Sequence, residues 1–116
     1  MSRHNRRQAI KLFTNHMNRI QLTAAKIAKE FDMNSVPVTT LKTITDKEIL
    51  KPVSDMTSDN ISYINHVNKV VKLIFQEGEA HAKKNGSKNV PVAYIKEMVR
   101  VVNNSYKEGV KENKTA

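Results

Sequence analysis

The sequence predicts an all-α protein: a long, basic, amphipathic N-terminal helix followed by a short–long–short helical unit. Three observations carry this. From Thr57 to Gly86, apolar residues recur at Ile61, Ile64, Val67, Val70, Val71, Ile74 and Phe75, the offsets of three and four that place side chains on one helical face. From Ile10 to Phe31, Ile10, Phe13, Met17, Ile20, Ala24, Ile27 and Phe31 alternate the same spacings without a slip, which is a heptad seam. Only three Gly and three Pro interrupt 116 residues, and Cys and Trp are absent.

The length suits one domain, expected over residues 1–110, with a modest core. The absence of Cys removes disulfides and thiolate chemistry and excludes most structural zinc sites. No apolar run reaches the length of a membrane span, and the start MSRHNRRQ carries charge where a signal peptide would carry an apolar core. The expectation is an intracellular protein of nucleoid or nucleus with no membrane contact. Charge speaks to partners. Twenty Lys and Arg against eleven Asp and Glu give +9, a bias towards polyanions. Residues 1–30 hold Arg3, Arg6, Arg7, Lys11, Arg19, Lys26 and Lys29 against Glu30 alone, so 7 − 1 = 6 of those nine charges lie there.

In chain order, the first helix is expected over residues 5–31. Projected at about 100° per residue, Arg7, Lys11, Arg19, Lys26 and Lys29 fall opposite its seam, and Arg3 joins them if the helix begins that early. A merely solvated helix face normally mixes charge signs, and this one does not. A short helix follows within 38–51. In it Thr45 or Asp46 is placed to cap DKEILK before Pro52 ends the segment.

The long helix is expected over 57–85, started by Thr57, Ser58 or Asp59. It ends at Lys83 and Lys84, which suit the negative end of the helix dipole, and at Asn85-Gly86, which suits a left-handed cap. Tyr63, Leu73, Ala80 and Ala82 widen its apolar face. A helix of that length spans roughly 42 Å, so either the rest of the chain or a second copy must pack along it. Pro91 leads a final helix over 91–106 whose stripe is Ile95, Met98, Val99, Val102 and Tyr106. The tail 107–116 has nothing to bury and is expected to be disordered. No internal repeat is evident.

Catalytic chemistry has no constellation here, and the expectation is a protein that is not an enzyme and takes no cofactor or metal. His4, His16, His66 and His81 include no pair spaced i, i+4 to present two ligands to one ion. Ser54-Asp55 and Ser58-Asp59 read as turn and cap chemistry. There is no Gly-rich phosphate loop, and aromatics at 5% do not make a base-stacking platform.

The order short helix, long helix, short helix from Val38 onward resembles the histone fold over residues 38–105. The best match is Ala80–Val99, AHAKKNGSKNVPVAYIKEMV. There a long helix runs into the loop Lys88-Asn89-Val90, and then into a short helix led by Pro91 with Ile95 in its buried position. Lys51-Pro52-Val53-Ser54-Asp55 stands where the first loop of that fold would be. The resemblance implies a handshake homodimer with crossed long helices, its interface formed by Ile61, Ile64, Val67, Val71, Ile74 and Phe75. It also implies a grip on DNA phosphates by loop amides, helix N-termini and the loop cations Lys51 and Lys88. Tyr94 stands where many members have an Asp.

A second stretch, Leu22–Leu41 (LTAAKIAKEFDMNSVPVTTL), resembles a helix-turn-helix. Ile27, Ala28 and Phe31 precede a turn at Asp32–Ser35, and Val38 and Leu41 take buried recognition-helix positions. Asp32 stands where Gly is usual. Thr39, Thr40 and Lys42 would then face the major groove. The function expected is that of a small basic DNA-binding protein working mainly through phosphate contacts, histone-like or architectural, with RNA also compatible. Arg3, Arg6, Arg7, Lys11, Arg19, Lys26 and Lys29 form its nucleic-acid face, with Lys51 and Lys88 secondary. The alternatives are a helix-turn-helix transcription regulator using residues 22–42, and a protein–protein adaptor that docks through the apolar seams.

Overall fold

In a computed structural model, residues 3–55 and 61–113 are described, the side chains of residues 3–6, 54 and 110–113 excepted. Helix α1 spans Arg3–Glu30 without a break. A turn leads into strand β1 (Ser35–Pro37) and helix α2 (Val38–Thr45), then a π-helical turn (Asp46–Leu50) and a short helix α3 (Lys51–Ser54). The long helix α4 covers Ile61–Lys84, strand β2 Asn89–Pro91 and helix α5 Val92–Asn113. The protein is mostly helical, with a long N-terminal helix and one small two-stranded sheet.

The apolar periodicity becomes burial. Phe13, Met17, Ile20, Ala24 and Ala28 of α1 are buried, as are Val67, Val71, Ile74, Gly78 and Ala82 of α4. Leu41, Ile44, Ile49, Val53, Ile95 and Val99 complete the core with Val36 and Val90 from the strands. Phe31, read as the end of the α1 seam, is instead 70% exposed. The helix stops at Glu30, so Phe31 no longer shares its face. Leu73 and Ala80 do not widen the buried face of α4 either, since both are exposed.

Between α2 and α3 the chain does not break where the caps were expected. Thr45 and Asp46 are helical, and the buried Thr45 hydroxyl donates back to Lys42 O at 2.9 Å. The Lys51 N–H reaches Asp46 O, the wider i→i−5 spacing of a π turn. A new helical turn starts there and holds Pro52 near its first position, where its missing N–H and its ring are tolerated. The cap candidates Thr57, Ser58 and Asp59 lie outside the described residues. Helix α5 continues past Tyr106 to Asn113, so residues 107–113, expected to be disordered, are helical. Nothing in that stretch breaks a helix except one Gly, which costs about 1 kcal/mol.

The structure also contains the internal repeat that the sequence hid. Two turns are built alike. Asp32 (φ 53°) and Gly86 (φ 62°) both take the left-handed conformation. The Met33 N–H donates to Ala28 O and the Ser87 N–H to Ala82 O, each at 2.8 Å. The Asp32 N–H donates to Lys29 O at 3.0 Å and the Gly86 N–H to Lys83 O at 3.1 Å. These are the paired bonds of a Schellman ending. The strands then run antiparallel with Ser35 opposite Pro91, Val36 opposite Val90 and Pro37 opposite Asn89. Outside them the Val38 N–H donates to Lys88 O and the Val92 N–H to Asn34 O, both at 2.9 Å.

Every one of these pairs exchanges under an offset of 54 residues (90 − 36). So do the five buried positions of α1 and the five of α4. The chain is therefore two helix–strand–helix halves related by a pseudo-twofold through the Val36–Val90 pair. Helix α1 lies chiefly along α5, whereas α4 lies chiefly against α2, the π turn and α3, so each long helix packs on the C-terminal helices of the other half. That answers what covers α4. The covering element is the rest of this chain.

Identity between the halves survives at a few places: Ile10/Ile64, Ile20/Ile74, Ala28-Lys29/Ala82-Lys83, Val36-Pro37-Val38/Val90-Pro91-Val92 and Lys42/Lys96. Elsewhere only size or burial is kept, as for Phe13/Val67 and Leu41/Ile95. One difference is architectural: α5 has no counterpart of Pro52, and only the half with Pro has its last helix divided.

Candidate nucleic-acid interface

Helix α1 supplies the longest basic face. Its core contacts use Phe13, Met17, Ile20, Ala24 and Ala28, which directs Lys11, Arg19, Lys26 and Lys29 outward, with Arg7 beside them. All five are exposed. From Lys11 to Lys29 the helical rise covers about 27 Å. The side chains of Arg3 and Arg6 lie outside the described residues, although both positions belong to α1.

Arg19 is not free of acidic company: its guanidinium meets Glu48 of the π turn, Nη2 to Oε2 at 3.3 Å. At 62% exposure for the Arg side chain such a pair contributes little to stability, but it offsets the charge that Arg19 offers a polyanion. Lys42, one of the residues placed towards a major groove, is similarly tied to Asp46 at 3.3 Å. Thr39 is exposed and Thr40 half-buried.

A second basic cluster lies at the turn after α4. Lys83, Lys84 and Lys88 are all exposed. Lys83 and Lys88 line an open cleft of about 360 Å³ with Ser87 and the start of α2 at Pro37–Thr39, and Glu79 at its edge. Lys83 and Lys84 are legible in the sequence only as a helix stop signal. Their grouping with Lys88 is a consequence of the Gly86 turn. The counterpart turn after α1 differs in chemistry, with Phe31 and Met33 exposed at 70% and 48% and Asp32 and Glu30 close by in sequence. Lys51 is exposed in α3, a helical position and not a loop.

The residues expected to face a second copy sit mostly within this chain. Val67, Val71 and Ile74 are buried, Ile64 and Phe75 pack against the core, and Ile61 is 55% exposed at the start of α4.

Titratable side chains gather at one other place, where α1, α4 and α5 meet. The Tyr63 hydroxyl and His16 Nδ1 are 2.7 Å apart. Phe13 stacks on Tyr106 with ring centres 4.1 Å apart, and the His66 ring lies 5.3 Å from Tyr106 and 5.6 Å from Phe13. Burial lowers the pKa of His16, with Arg19 adding to it. Burial and then Lys69 lower that of His66. Burial raises Tyr63, with Tyr106 contributing, and raises Tyr106 itself. Tyr63 thus keeps its proton, and its hydroxyl shares a hydrogen bond with His16 Nδ1. Tyr94, read where a histone would have Asp, stacks on His81 at 3.8 Å.

Among the described residues no group of three or more His, Asp or Glu is placed to hold a metal ion, and no helix is long and apolar enough to cross a membrane. No protein-family profile, curated protein or solved structure matches this chain.

Proposed function

We propose that this chain is a small DNA-binding protein that works mainly through phosphate contacts, histone-like or architectural, with little sequence preference. The observation that carries the reading is the outer face of α1. Lys11, Lys26 and Lys29 are exposed there over about 27 Å of helix, and Glu30 at its end is the only acid of α1. Phosphates along a duplex recur closely enough for several to meet such a stripe at once. The Lys83, Lys84 and Lys88 cluster supplies a second contact of the same chemistry.

The test is binding to a random-sequence duplex across a salt series, wild type against a Lys11→Ala/Lys26→Ala/Lys29→Ala variant. Wild type should lose roughly 10³-fold or more in affinity between 50 and 200 mM salt if six or more phosphates are met. The variant's log–log slope should be shallower by about 0.9 for each phosphate that it no longer neutralises. No binding by wild type at low salt sinks the proposal. A preference of ~10³ or more for one sequence would favour a regulator using residues 22–42.

A protein–protein adaptor is the second reading, favoured by the exposed Leu22 (66%), Phe31 and Met33. Binding through those side chains would respond little to salt.

A further inference from the structure

We propose that the groove between α4 and α5 is a self-association surface, on which a second copy of this chain docks by antiparallel pairing of the two α4 helices about Leu73. The groove has a volume of about 320 Å³ and a mainly apolar lining that includes Ile74, Met98 and Val102, with Glu77 and Glu97 also on its walls. Its lips are Leu73 and Val101, exposed at 52% and 50%. A single exposed Leu is ordinary on a protein surface, and Leu22 is one, with Arg19 and Lys26 its neighbours on the helix. Leu73 and Val101 differ because they border a continuous apolar recess.

The pseudo-twofold supplies an internal control. Beyond the π turn, which adds one residue to the first half, the offset is 53 and the buried Ile49 and Val53 match Val102 and Tyr106; the positions that correspond to Leu73 and Val101 are therefore Arg19 and Glu48. In the first half that junction carries the Arg19–Glu48 ion pair, with the Arg side chain 62% exposed. The fold therefore does not require apolar side chains there. Their presence in the second half needs a partner to explain it.

Charge identifies the partner. Along α4, Lys69, Leu73 and Glu77 follow at intervals of four, and Lys69 and Glu77 are both exposed. In an antiparallel pairing centred on Leu73, position 73 − k of one copy faces 73 + k of the other. Lys69 of each copy then meets Glu77 of the other, about 6 Å along the helix on either side of the axis. The pattern is self-complementary, as an isologous twofold interface requires. The Lys69–Glu77 contact is then made twice, once on each side of the axis. The interface is separate from the basic face of α1 and does not rest on the nucleic-acid reading.

The experiment is sedimentation of the full-length chain, free of nucleic acid, across a concentration series. Wild type should pass from the 13.2 kDa chain to twice that mass. Leu73→Arg with Val101→Glu installs the ion-paired residues of the first half, so its helical content and melting should stay near wild type while its dimer Kd rises at least tenfold, as expected for loss of a central anchor. Lys69→Glu and Glu77→Lys should each weaken the dimer by about tenfold through like-charge contact, and the double reversal should restore it to within about threefold. A wild type that stays at 13.2 kDa at every concentration overturns the proposal and leaves the groove to a partner of different sequence. A dimer that survives the Leu73 and Val101 changes, or one indifferent to both charge reversals, overturns it as well.

Discussion

Val36 and Val90 face one another at the centre of a ribbon only three residues long on each side, and both side chains are fully buried. Around that pair the two halves of the chain correspond, and several consequences can be measured.

The two left-handed turn residues are not equivalent in cost. Gly86 adopts φ 62° without penalty, whereas Asp32 adopts φ 53° as an L-residue and adds negative charge at the C-terminal end of α1. Asp32→Gly is expected to raise stability by about 0.5–1 kcal/mol, and Gly86→Val to lower it by about 1–2 kcal/mol. Urea midpoints with unchanged m-values check both.

Phe13 and Phe31 lie on the same sequence seam and should respond oppositely. Phe13 is fully buried and stacked on Tyr106, so Phe13→Ala should cost about 3–5 kcal/mol. Phe31 is 70% exposed, and Phe31→Ala should stay within about 0.5 kcal/mol. Chemical denaturation of the two variants decides.

Gly78 is the counterpart of Ala24 in α1, and a Cβ built on it meets Leu41 Cδ2 at 2.9 Å, with Val90 and Met98 at 3.6 and 3.7 Å. In Gly78→Ala the helix-propensity gain of about 1 kcal/mol should be offset by a small shift of the Leu41 methyl, giving a change near zero. Gly78→Val should overpack the site and cost about 1–3 kcal/mol. Thermal melts of the pair separate the two effects.

Stability should depend on pH through His16 and His66. Both have folded pKa values below the ordinary 6.5, so below that value the unfolded chain binds more protons than the folded one, and stability falls with pH. The contribution is fully present above pH 6.5 and is lost as pH drops through the folded values. Melting temperature should be level above about pH 7 and decline below it, and His16→Gln with His66→Gln should flatten the decline. Tyr63→Phe, which removes the hydroxyl bonded to His16, should cost about 1 kcal/mol at neutral pH.

Local signals in the chain were enough for the helical class, for most of the buried face of α1 and of α4, and for the stop of α4. Apolar residues at offsets of three and four placed Phe13, Met17, Ile20, Val67, Val71 and Ile74 in a core, and Asn85-Gly86 marked the Schellman stop, because these signals are local. Tertiary structure decided what each face meets. Periodicity reports that α4 buries Val67 and Val71 but not that α2, the π turn and α3 of its own chain cover them. The strands were beyond reach because three residues carry no alternation, and each is held only by its partner 54 residues away. The candidate interface divided in the same way. The cations of α1 were readable from composition and spacing, whereas the pairing of Arg19 with Glu48 and the cleft of Lys83 and Lys88 against the start of α2 follow from the way distant segments meet. Burial is a property of a residue's own helix phase, but partnership depends on chain closure over many residues, and no local pattern encodes it.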